Sequence, residues 1–223
     1  DSSAASDVYK RQDDKIAWYE NNGDEQFEEH IISTSADGAF AVKAADLDND
    51  GDMDIISSSW RDDKVAWYEN NGQSQFTEQI ISTTADGVLS IDVADIDQDG
   101  DLDVLSAALR GKKVVWYENK EEEAFSEHII VADGNRPYSL HPADVNQDGK
   151  IDILVVNDTS DEIVWYENTE GDQFIEHPLA TSSEGPRSIF PADFDMDGDL
   201  DLLVAYYFEG KVIWYVGGKD GPR

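Results

Sequence analysis

A short acidic loop recurs four times in the chain and carries the side chains best suited to hold a metal ion. Its pattern is Asp-x-(Asp or Asn)-x-Asp-Gly-x-x-Asp, and successive copies start 49 residues apart, at Asp46, Asp95, Asp144 and Asp193. Alternate carboxylates on a tight turn, with a glycine that permits the bend, form an all-oxygen cage of the kind that binds Ca²⁺. The pattern therefore predicts four calcium sites.

The spacing also assigns the ligands within each loop. Positions 1, 3, 5 and 9 are expected to supply side-chain oxygens, and position 7 a backbone carbonyl. Asn146 at position 3 leaves the third loop one carboxylate short of the others, so we expect this site to bind calcium most weakly. Lys150 at position 7 is compatible with a cation because only its carbonyl is needed. The predicted ligands are Asp46, Asp48, Asp50, Asp52 and Asp54; Asp95, Asp97, Asp99, Asp101 and Asp103; Asp144, Asn146, Asp148, Lys150 and Asp152; and Asp193, Asp195, Asp197, Asp199 and Asp201.

Two other interpretations of the acidic loops fit less well. An EF-hand requires a bidentate Glu at position 12 and flanking helices, whereas position 12 here is Ser57, Ser106, Val155 or Val204, inside a β-rich run. Acidic turns without a metal are the other alternative, but carboxylates crowded into so short a loop repel one another unless a cation is present. Calcium is the favoured interpretation.

The composition of the chain argues against several classes of partner. With 50 acidic and 16 basic residues among 223, the formal net charge is −34, which disfavours nucleic acid and an anionic membrane surface. No apolar stretch approaches the roughly 20 residues that span a bilayer, and without cysteine there is no disulfide framework. Loops of modest calcium affinity fill where free Ca²⁺ is abundant, so we expect an extracellular or cell-surface location.

The 49-residue period extends beyond the loops and predicts the fold. Five Trp-Tyr pairs keep the period, and each full unit contains four short segments of β character separated by turn signals. Runs such as 114–117 and 202–205 are apolar at consecutive positions, which indicates strands covered on both faces of their sheet. This combination predicts an all-β fold, a β-propeller of four-stranded antiparallel blades, whereas a two-sheet sandwich would leave one face polar. The pairs start at Trp18, Trp67, Trp116, Trp165 and Trp214, and the segments of the unit after the first loop are 40–46, 53–59, 64–69 and 75–82.

The register of the repeat sets the expected domain boundaries. Residues 1–12 do not follow it, and 7–12 resemble translated library-adapter sequence, with a native N-terminal extension as the alternative. The repeats span 13–216, and a short tail spans 217–223.

Counting strands in this register leads to a prediction about ring closure. Two strands of one unit, three whole units and three strands of a last unit are expected, seventeen strands in all. Because this number is not a multiple of four, we expect an open arc. Pairing of 27–32 with 211–215 would close four blades and is one alternative; association of two chains through exposed edges is another.

The acidic loop and the hydrophobic strand after it resemble the FG-GAP or VCBS repeat family, whose members include the calcium-bearing blades of integrin α-subunit propellers. The resemblance rests on residues 42–56, Val-Lys-Ala-Ala-Asp-Leu-Asp-Asn-Asp-Gly-Asp-Met-Asp-Ile-Ile, and on three further copies within 13–216. It implies a seven-bladed propeller, usually secreted or on the cell surface, that serves adhesion or stands beside an enzyme domain. Because this chain holds fewer than five units, it is expected to be a fragment of such a propeller.

Catalysis finds little support in the sequence. Among 50 acidic residues, close carboxylate pairs arise by chance and do not indicate glycosidase chemistry. Three histidines share one repeat position and are expected to be structural, whereas a fourth stands alone on a predicted inner strand and is expected to be a satisfied polar residue. The chain is therefore predicted not to be an enzyme. The shared position holds His30, His128 and His177, with Gln79 in the remaining unit; the lone histidine is His141, where other units place Lys43, Asp92 and Phe190.

The turns between the second and third predicted strands vary from unit to unit and are the best candidates for contact with a ligand. Aromatic residues and Arg are enriched at binding hot spots, whereas the repeated Trp-Tyr pairs are better explained by packing between blades than by sugar stacking. In a propeller these turns lie on the face opposite the acidic loops. Exposed apolar turns without a partner are the alternative. The candidate ligand-binding residues are Trp60, Arg61, Arg110, Tyr207 and Phe208.

These observations converge on one expected function. The sequence predicts a calcium-stabilised extracellular binding or adhesion module that recognises a glycan or a protein. An accessory propeller of a larger secreted polysaccharide-degrading enzyme is the alternative.

Overall fold

The computed structural model describes most of the chain. The described residues are 14–21, 23–24, 26–120, 123–169, 171, 173–179 and 184–218. The predicted non-repeat segment 1–12 and the part of the predicted tail beyond residue 218 lie outside the described residues.

The described residues contain seventeen β-strands and no helix. This confirms the all-β prediction and the predicted number of strands. Consequently, this part of the chain has no helix that could span a membrane. The strands are β1 (Ile16–Asn21), β2 (Phe27–Ser33), β3 (Ala39–Ala45), β4 (Asp54–Ser59), β5 (Lys64–Asn70), β6 (Phe76–Ser82), β7 (Val88–Ala94), β8 (Asp103–Ala108), β9 (Lys113–Lys120), β10 (Glu123–Val131), β11 (Pro137–Ala143), β12 (Asp152–Asn157), β13 (Ile163–Asn168), β14 (Phe174–Leu179), β15 (Pro186–Ala192), β16 (Asp201–Tyr206) and β17 (Lys211–Tyr215).

The strands form five antiparallel sheets in which each strand pairs with its neighbours in sequence. Sheet A holds β1 and β2, sheet B β3 to β6, sheet C β7 to β10, sheet D β11 to β14, and sheet E β15 to β17. The first pairing in sheets B, C, D and E carries a register shift near the start of its first strand, as between Ala39 and Ala41. The predicted four-stranded antiparallel unit is therefore confirmed in sheets B, C and D.

The second strands of sheets B, C and D are buried because neighbouring sheets cover both of their faces. β8 and β12 are buried along their whole length, as the runs of consecutive apolar residues predicted. Adjacent sheets meet mainly through their first strands, since β3 packs against β7, β7 against β11 and β11 against β15. Hydrophobic clusters fill the spaces between B and C, between C and D, and between D and E.

The described sheets follow one another as an open series rather than a closed ring. Within the described residues, β17 pairs only with β16, and β2 pairs only with β1. The alternative in which 27–32 would lie beside 211–215 is therefore not formed. The seven-bladed ring implied by the family resemblance stays a prediction.

The histidines of the shared repeat position are built into the sheets, as expected for structural residues. Each stacks on the Trp of the neighbouring strand, with ring centroids 4.3 to 4.5 Å apart. The first four Trp-Tyr pairs continue as Glu-Asn and form a Trp-Tyr-Glu-Asn motif. Each histidine places Nε2 within hydrogen-bond distance of the Glu of this motif, at 2.7 to 3.1 Å. The triplets are Trp18, His30 and Glu20; Trp116, His128 and Glu118; and Trp165, His177 and Glu167.

The lone histidine belongs to a row of side chains that crosses the first strands of four sheets. Lys43 Nζ lies 2.9 Å from the carboxylate of Asp92, and His141 Nδ1 lies 3.7 Å from that same carboxylate. The ring of Phe190 meets the His141 ring edge-on at 5.7 Å. Burial lowers the pKa of His141; Asp92 opposes this and Lys43 reinforces it. His141 is thus a partnered polar residue, as expected.

The covering of both faces leads to a test on one repeat position. Trp116 is 1% exposed between sheets C and D, whereas Trp214, at the same position of sheet E, is 47% exposed. We expect Trp116→Ala to lower the free energy of unfolding by about 3–5 kcal/mol and Trp214→Ala by about 1 kcal/mol. Urea denaturation of both variants measures the difference, and equal losses would contradict packing between sheets as the main source of stability.

Candidate metal centres and the opposite turns

Each acidic loop joins the first strand of a sheet to the second and has the same backbone shape in all four copies. Position 4 is in the left-handed region, with φ from 58° to 63°, and the glycine at position 6 has φ from 91° to 103°. A residue with a Cβ is strained at such a φ, which explains the glycine at position 6. Position 4 is occupied by Asn49, Gln98, Gln147 and Met196, and position 6 by Gly51, Gly100, Gly149 and Gly198.

The structure brings the predicted ligands at positions 1, 3 and 5 together. In the first, second and fourth loops, one carboxylate oxygen from each of these positions lies within 4.8 Å of the others. Backbone N–H groups hold the carboxylates in place: in the first loop, Gly51 donates to Asp46 at 3.0 Å and Asp52 donates to Asp50 at 2.8 Å. The converging groups are Asp46, Asp48 and Asp50; Asp95, Asp97 and Asp99; and Asp193, Asp195 and Asp197.

Two carboxylate oxygens in these clusters are left for a cation. Oδ1 of Asp46 and Oδ1 of Asp95 are buried and have no hydrogen-bond partner among the described residues. Burial raises the pKa of Asp48 and Asp97, and the neighbouring carboxylates raise it further. An unpaired buried acceptor and crowded charge are both costly without a counter-ion. The donor set, made entirely of oxygens, therefore fits Ca²⁺.

The third loop differs from the others at position 3. The amide nitrogen of Asn146 points at Asp148 Oδ2, 3.3 Å away, and at Glu167 Oε1, 3.1 Å away. An amide N–H cannot coordinate a cation, so the side chain has to turn before its carbonyl could. This arrangement supports the expectation that the third site is the weakest.

The carboxylate at position 9 has a structural role that the spacing did not predict. Asp54 is fully buried, and its two oxygens accept the N–H of Leu47 at 3.0 Å and the N–H of Asn70 at 2.8 Å. It thereby joins the loop to the third strand of its sheet. The same pairs of bonds recur at Asp103 (Ile96 and Asn119), Asp152 (Val145 and Asn168) and Asp201 (Phe194 and Gly217). That position 9 also ligates the metal stays a prediction.

The residue at position 7 differs between loops, but its backbone makes the same hydrogen bond in each. Its N–H donates to the position 5 carboxylate in every loop, at 2.8 to 2.9 Å. Lys150 lines a cavity of about 240 Å³ between sheets C and D, which Asp97 and Gln98 also border. The predicted use of the position 7 carbonyls as ligands, at Asp52, Asp101, Lys150 and Asp199, stays a prediction.

Sequence reasoning missed a further acidic residue beside the loops. The Glu of the Trp-Tyr-Glu-Asn motif lies close enough to position 3 to raise its pKa, as Glu69 does for Asp48 and Glu118 for Asp97. Its recurrence directly after the Trp-Tyr pair is the signal that the sequence offers for this residue.

The candidate ligand-binding turns lie at the opposite ends of the second strands from the acidic loops. In sheet B, β4 starts at Asp54, the last residue of the acidic loop, and ends at Ser59, immediately before Trp60. The topology therefore separates the two sets of residues, as predicted.

The first group of turn residues is held together across sheets B and C. The guanidinium of Arg110 lies 5.2 Å from the Trp60 ring centroid and donates to the Trp60 carbonyl at 2.8 Å. It also pairs with Asp63 at 2.6 Å and Asp86 at 2.9 Å, while Arg61 lies 3.5 Å from Asp37. Arg110 thus ties two sheets together and covers one face of the Trp60 ring.

The second group is more open. Tyr207 and Phe208 are 73% and 65% exposed and meet edge to face at 5.4 Å. The guanidinium of Arg187 lies 5.5 Å from the Phe208 ring and 4.6 Å from that of Tyr138, and it donates to Asp158 at 2.6 Å. Sequence reasoning missed Arg187 and Tyr138, which lie on first strands rather than in the variable turns. That the two groups act as one binding face stays a prediction.

The chain matches a known family of repeats. The profile of the FG-GAP-like repeat matches residues 4–57, 57–106, 98–155 and 144–204. The chain therefore belongs to the FG-GAP-like repeat family, as its acidic loops predicted. The comparison with curated proteins gave no significant match.

Two solved structures are similar to the chain. One is an Agrocybe aegerita lectin described for specific recognition of non-reducing terminal N-acetylglucosamine, with a TM-score of 0.61, 17% identity, and coverage of 93% of this chain and 59% of the lectin. The other is the V. cholerae biofilm matrix protein Bap1, with a TM-score of 0.45, 19% identity, and coverage of 84% of this chain and 34% of Bap1. The chain thus spans less than two thirds of either protein, and the likeness to the lectin supports the fold.

Removal of calcium should lower the melting temperature markedly. An ion that binds only the native state stabilises it by about 2.7 kcal/mol per site at a hundredfold excess over Kd. Scanning calorimetry in calcium and in EDTA, with a calcium titration by calorimetry, measures the effect and the number of sites. An unchanged melt, or a titration that saturates at no more than one site, would contradict the four predicted centres.

The asymmetry among the loops can be tested at one position. Asp99 and Asp148 both stand at position 5, and each accepts the position 7 N–H at 2.9 Å; Asp148 also lies 3.3 Å from the amide nitrogen of Asn146. We expect Asp99→Ala to lower the calcium-loaded melting temperature more than Asp148→Ala, because the third site contributes less. For each variant, subtracting the melting temperature in EDTA from that in calcium separates the loss of the ion from the loss of hydrogen bonds. A larger loss for Asp148→Ala would refute the ranking.

The buried carboxylates at position 9 predict an unusual pH dependence for the calcium-free protein. Burial raises the pKa of Asp103 to about 7 and also raises the pKa values of Asp54 and Asp152. At Asp201 burial also acts to raise the pKa, but the hydrogen bonds that the carboxylate accepts outweigh it, and the pKa is lowered. The folded state therefore binds more protons than the unfolded state between about pH 4 and 7, so its stability falls as pH rises through this window. In EDTA the protein should melt higher at pH 5 than at pH 8.

Calcium should reverse this trend, because protons compete with the ion for the same carboxylates. The calcium-loaded protein should melt higher at pH 8 than at pH 5. If the melting temperature changes with pH in the same way in EDTA and in calcium, these carboxylates do not control the pH response.

Proposed function

We propose that the chain is a calcium-stabilised, extracellular binding or adhesion module that recognises a glycan or a protein and has no catalytic role. The observation that carries the proposal is the chemical contrast between the two ends of the second strands. Clustered carboxylates lie at one end, and aromatic and Arg side chains lie at the other. Calcium then serves the fold, and the opposite turns serve the partner.

The turns of sheets D and E offer the better contact surface. Tyr207 and Phe208 present exposed rings beside the ion pair of Arg187 with Asp158. Flat apolar rings next to fixed hydrogen-bonding groups suit a sugar, whose C–H faces stack while its hydroxyls bond. The net charge of −34 disfavours an acidic glycan, so a neutral one is the preferred ligand.

The lectin that shares the fold indicates which sugar to test first. It recognises non-reducing terminal N-acetylglucosamine, and we extend this ligand to the present chain as part of the proposal. An accessory propeller of a larger secreted polysaccharide-degrading enzyme would use the same surface and is the alternative.

Extracellular placement is part of the same proposal. Repeated loops of modest affinity fill where free Ca²⁺ is abundant, and a loop with fewer carboxylates, such as the third, needs it most. An all-oxygen site in a calcium-poor compartment would stand empty and leave its carboxylates to repel one another.

A glycan array that includes N-acetylglucosamine-terminated glycans tests the function, with the calcium-loaded wild type and two matched variants. Tyr207→Ala should abolish binding without changing the melting temperature, because its ring is exposed. Trp60 occupies the same repeat position but lies under Arg110, so Trp60→Ala should lower the melting temperature. Retained binding in this variant would confine the contact to the turns of sheets D and E, and lost binding would extend it to the single face that the sequence predicts. A lower melting temperature for Tyr207→Ala with binding intact would show that Tyr207 is a packing residue rather than a contact residue. Failure of the wild type to bind any glycan would favour a protein partner.

A further inference from the structure

Side-chain hydrogen bonds join consecutive acidic loops, and they repeat with the period of the chain. The residue at position 4 of one loop reaches the next loop. Asn49 Nδ2 donates to Asp101 Oδ1 at 2.7 Å, and Gln98 Nε2 donates to the carbonyl of Gly149. A bond of the second type also connects the third loop to the fourth, from Gln147.

The two glutamine bonds reach a peptide whose N–H contacts a predicted ligand. The peptide between Gly149 and Lys150 accepts from Gln98 at its carbonyl, while its N–H donates to Asp148 Oδ1 at 2.9 Å. Because a peptide unit is planar, fixing its carbonyl also fixes the direction of its N–H. A side chain of the second loop thus orients the position 5 carboxylate of the third.

A second set of bonds runs in the opposite direction along the chain. Asn119, in the Trp-Tyr-Glu-Asn motif of sheet C, donates from Nδ2 to the carbonyl of Leu47 at 2.8 Å and to that of Leu102 at 3.2 Å. Leu47 immediately precedes the position 3 ligand Asp48, and Leu102 immediately precedes Asp103. One amide therefore bridges the first and second loops.

The second bridge recurs once and is then replaced. Asn168 donates to the carbonyls of Ile96 and Ile151 at 3.0 and 3.2 Å, and so joins the second loop to the third. In sheet E this position is Gly217, which has no side chain to donate. Among the described residues, the third and fourth loops are therefore linked from position 4 alone.

We propose that these side chains are positioning residues that couple calcium binding from one loop to the next; the inference rests on the calcium sites proposed above. The five residues are Asn49, Gln98, Gln147, Asn119 and Asn168. An ion that orders one loop also orders its links, and the neighbouring loop then loses less conformational freedom when it binds. Affinity at one site should rise as its neighbour fills.

The sign of the coupling distinguishes this mechanism from simple electrostatics. A cation bound at one loop makes the potential at the next less negative, which weakens binding there. The hydrogen-bonded links act in the opposite direction. Cooperative filling therefore requires the links.

The chain contains its own control at position 4. Met196 in the fourth loop has the same left-handed backbone, with φ 62°, but its side chain is 89% exposed and has no N–H to donate. Gln98→Met therefore removes a link while keeping a residue that this loop position accepts. Met196→Gln introduces the amide where the described chain offers no following loop.

Four glycine amides report on the loops individually. The N–H of each position 6 glycine donates to the position 1 carboxylate of its own loop, at 2.9 to 3.2 Å. A calcium titration of the glycine-¹⁵N-labelled full chain, followed by NMR, therefore gives one midpoint per loop. The reporters are Gly51, Gly100, Gly149 and Gly198.

Gln98→Met should move the Gly149 midpoint to higher calcium by about fivefold or more, with a smaller change at Gly51 and an unchanged melting temperature in EDTA. Met196→Gln should leave all four midpoints in place. An unmoved Gly149 midpoint, or an equal shift at all four glycines, would overturn the coupling while leaving the calcium sites intact. If no wild-type glycine responds to calcium, the calcium proposal fails and the coupling fails with it.

Discussion

Repulsion among carboxylates is the constraint on which the rest of this structure depends. Each of three loops brings oxygens from three aspartates within 4.8 Å of one another. These clustered carboxylates are exposed or half-buried, whereas the position 9 carboxylates beside them are fully buried, and burial raises the pKa of Asp103 to about 7. A divalent cation bound among these carboxylates would offset the repulsion. In our account, binding of the ion and packing of the sheets are therefore parts of one equilibrium.

The position 9 aspartate links that equilibrium to the sheets. It is fully buried, begins the second strand, and accepts N–H groups from the loop and from the third strand. Three consecutive segments of a blade thus meet at one carboxylate. Repetition of this arrangement every 49 residues explains how each sheet can fold alike and then stack on the next through its first strand.

Much of the fold could be predicted because the repeat displays it directly. The Trp-Tyr pairs and the runs of apolar residues indicate strands covered on both faces, and the acidic loops mark the first turn of each unit. What could not be predicted depends on the placement of one sheet against another. The bond from Asn119 to Leu47 spans 72 residues, and no local pattern encodes it.

The binding surface was predicted only in part, for the same reason. Aromatic and Arg residues in the variable turns were apparent in the sequence, but not that Arg110 would cover Trp60 while Tyr207 remains open. Arg187 and Tyr138 come from first strands and join the turns only in three dimensions. The spacing predicts position 9 as a metal ligand. It does not predict the backbone N–H groups that this carboxylate accepts, because those contacts depend on its burial between the loop and the third strand.

Amide hydrogen exchange of the calcium-loaded and the chelated protein tests the central claim most directly. Our account predicts that calcium slows exchange in the second strands β4, β8, β12 and β16, which begin at the position 9 aspartates, as well as in the loops themselves. Protection confined to the loops, or identical exchange in both states, would contradict the dependence of sheet stability on the metal sites.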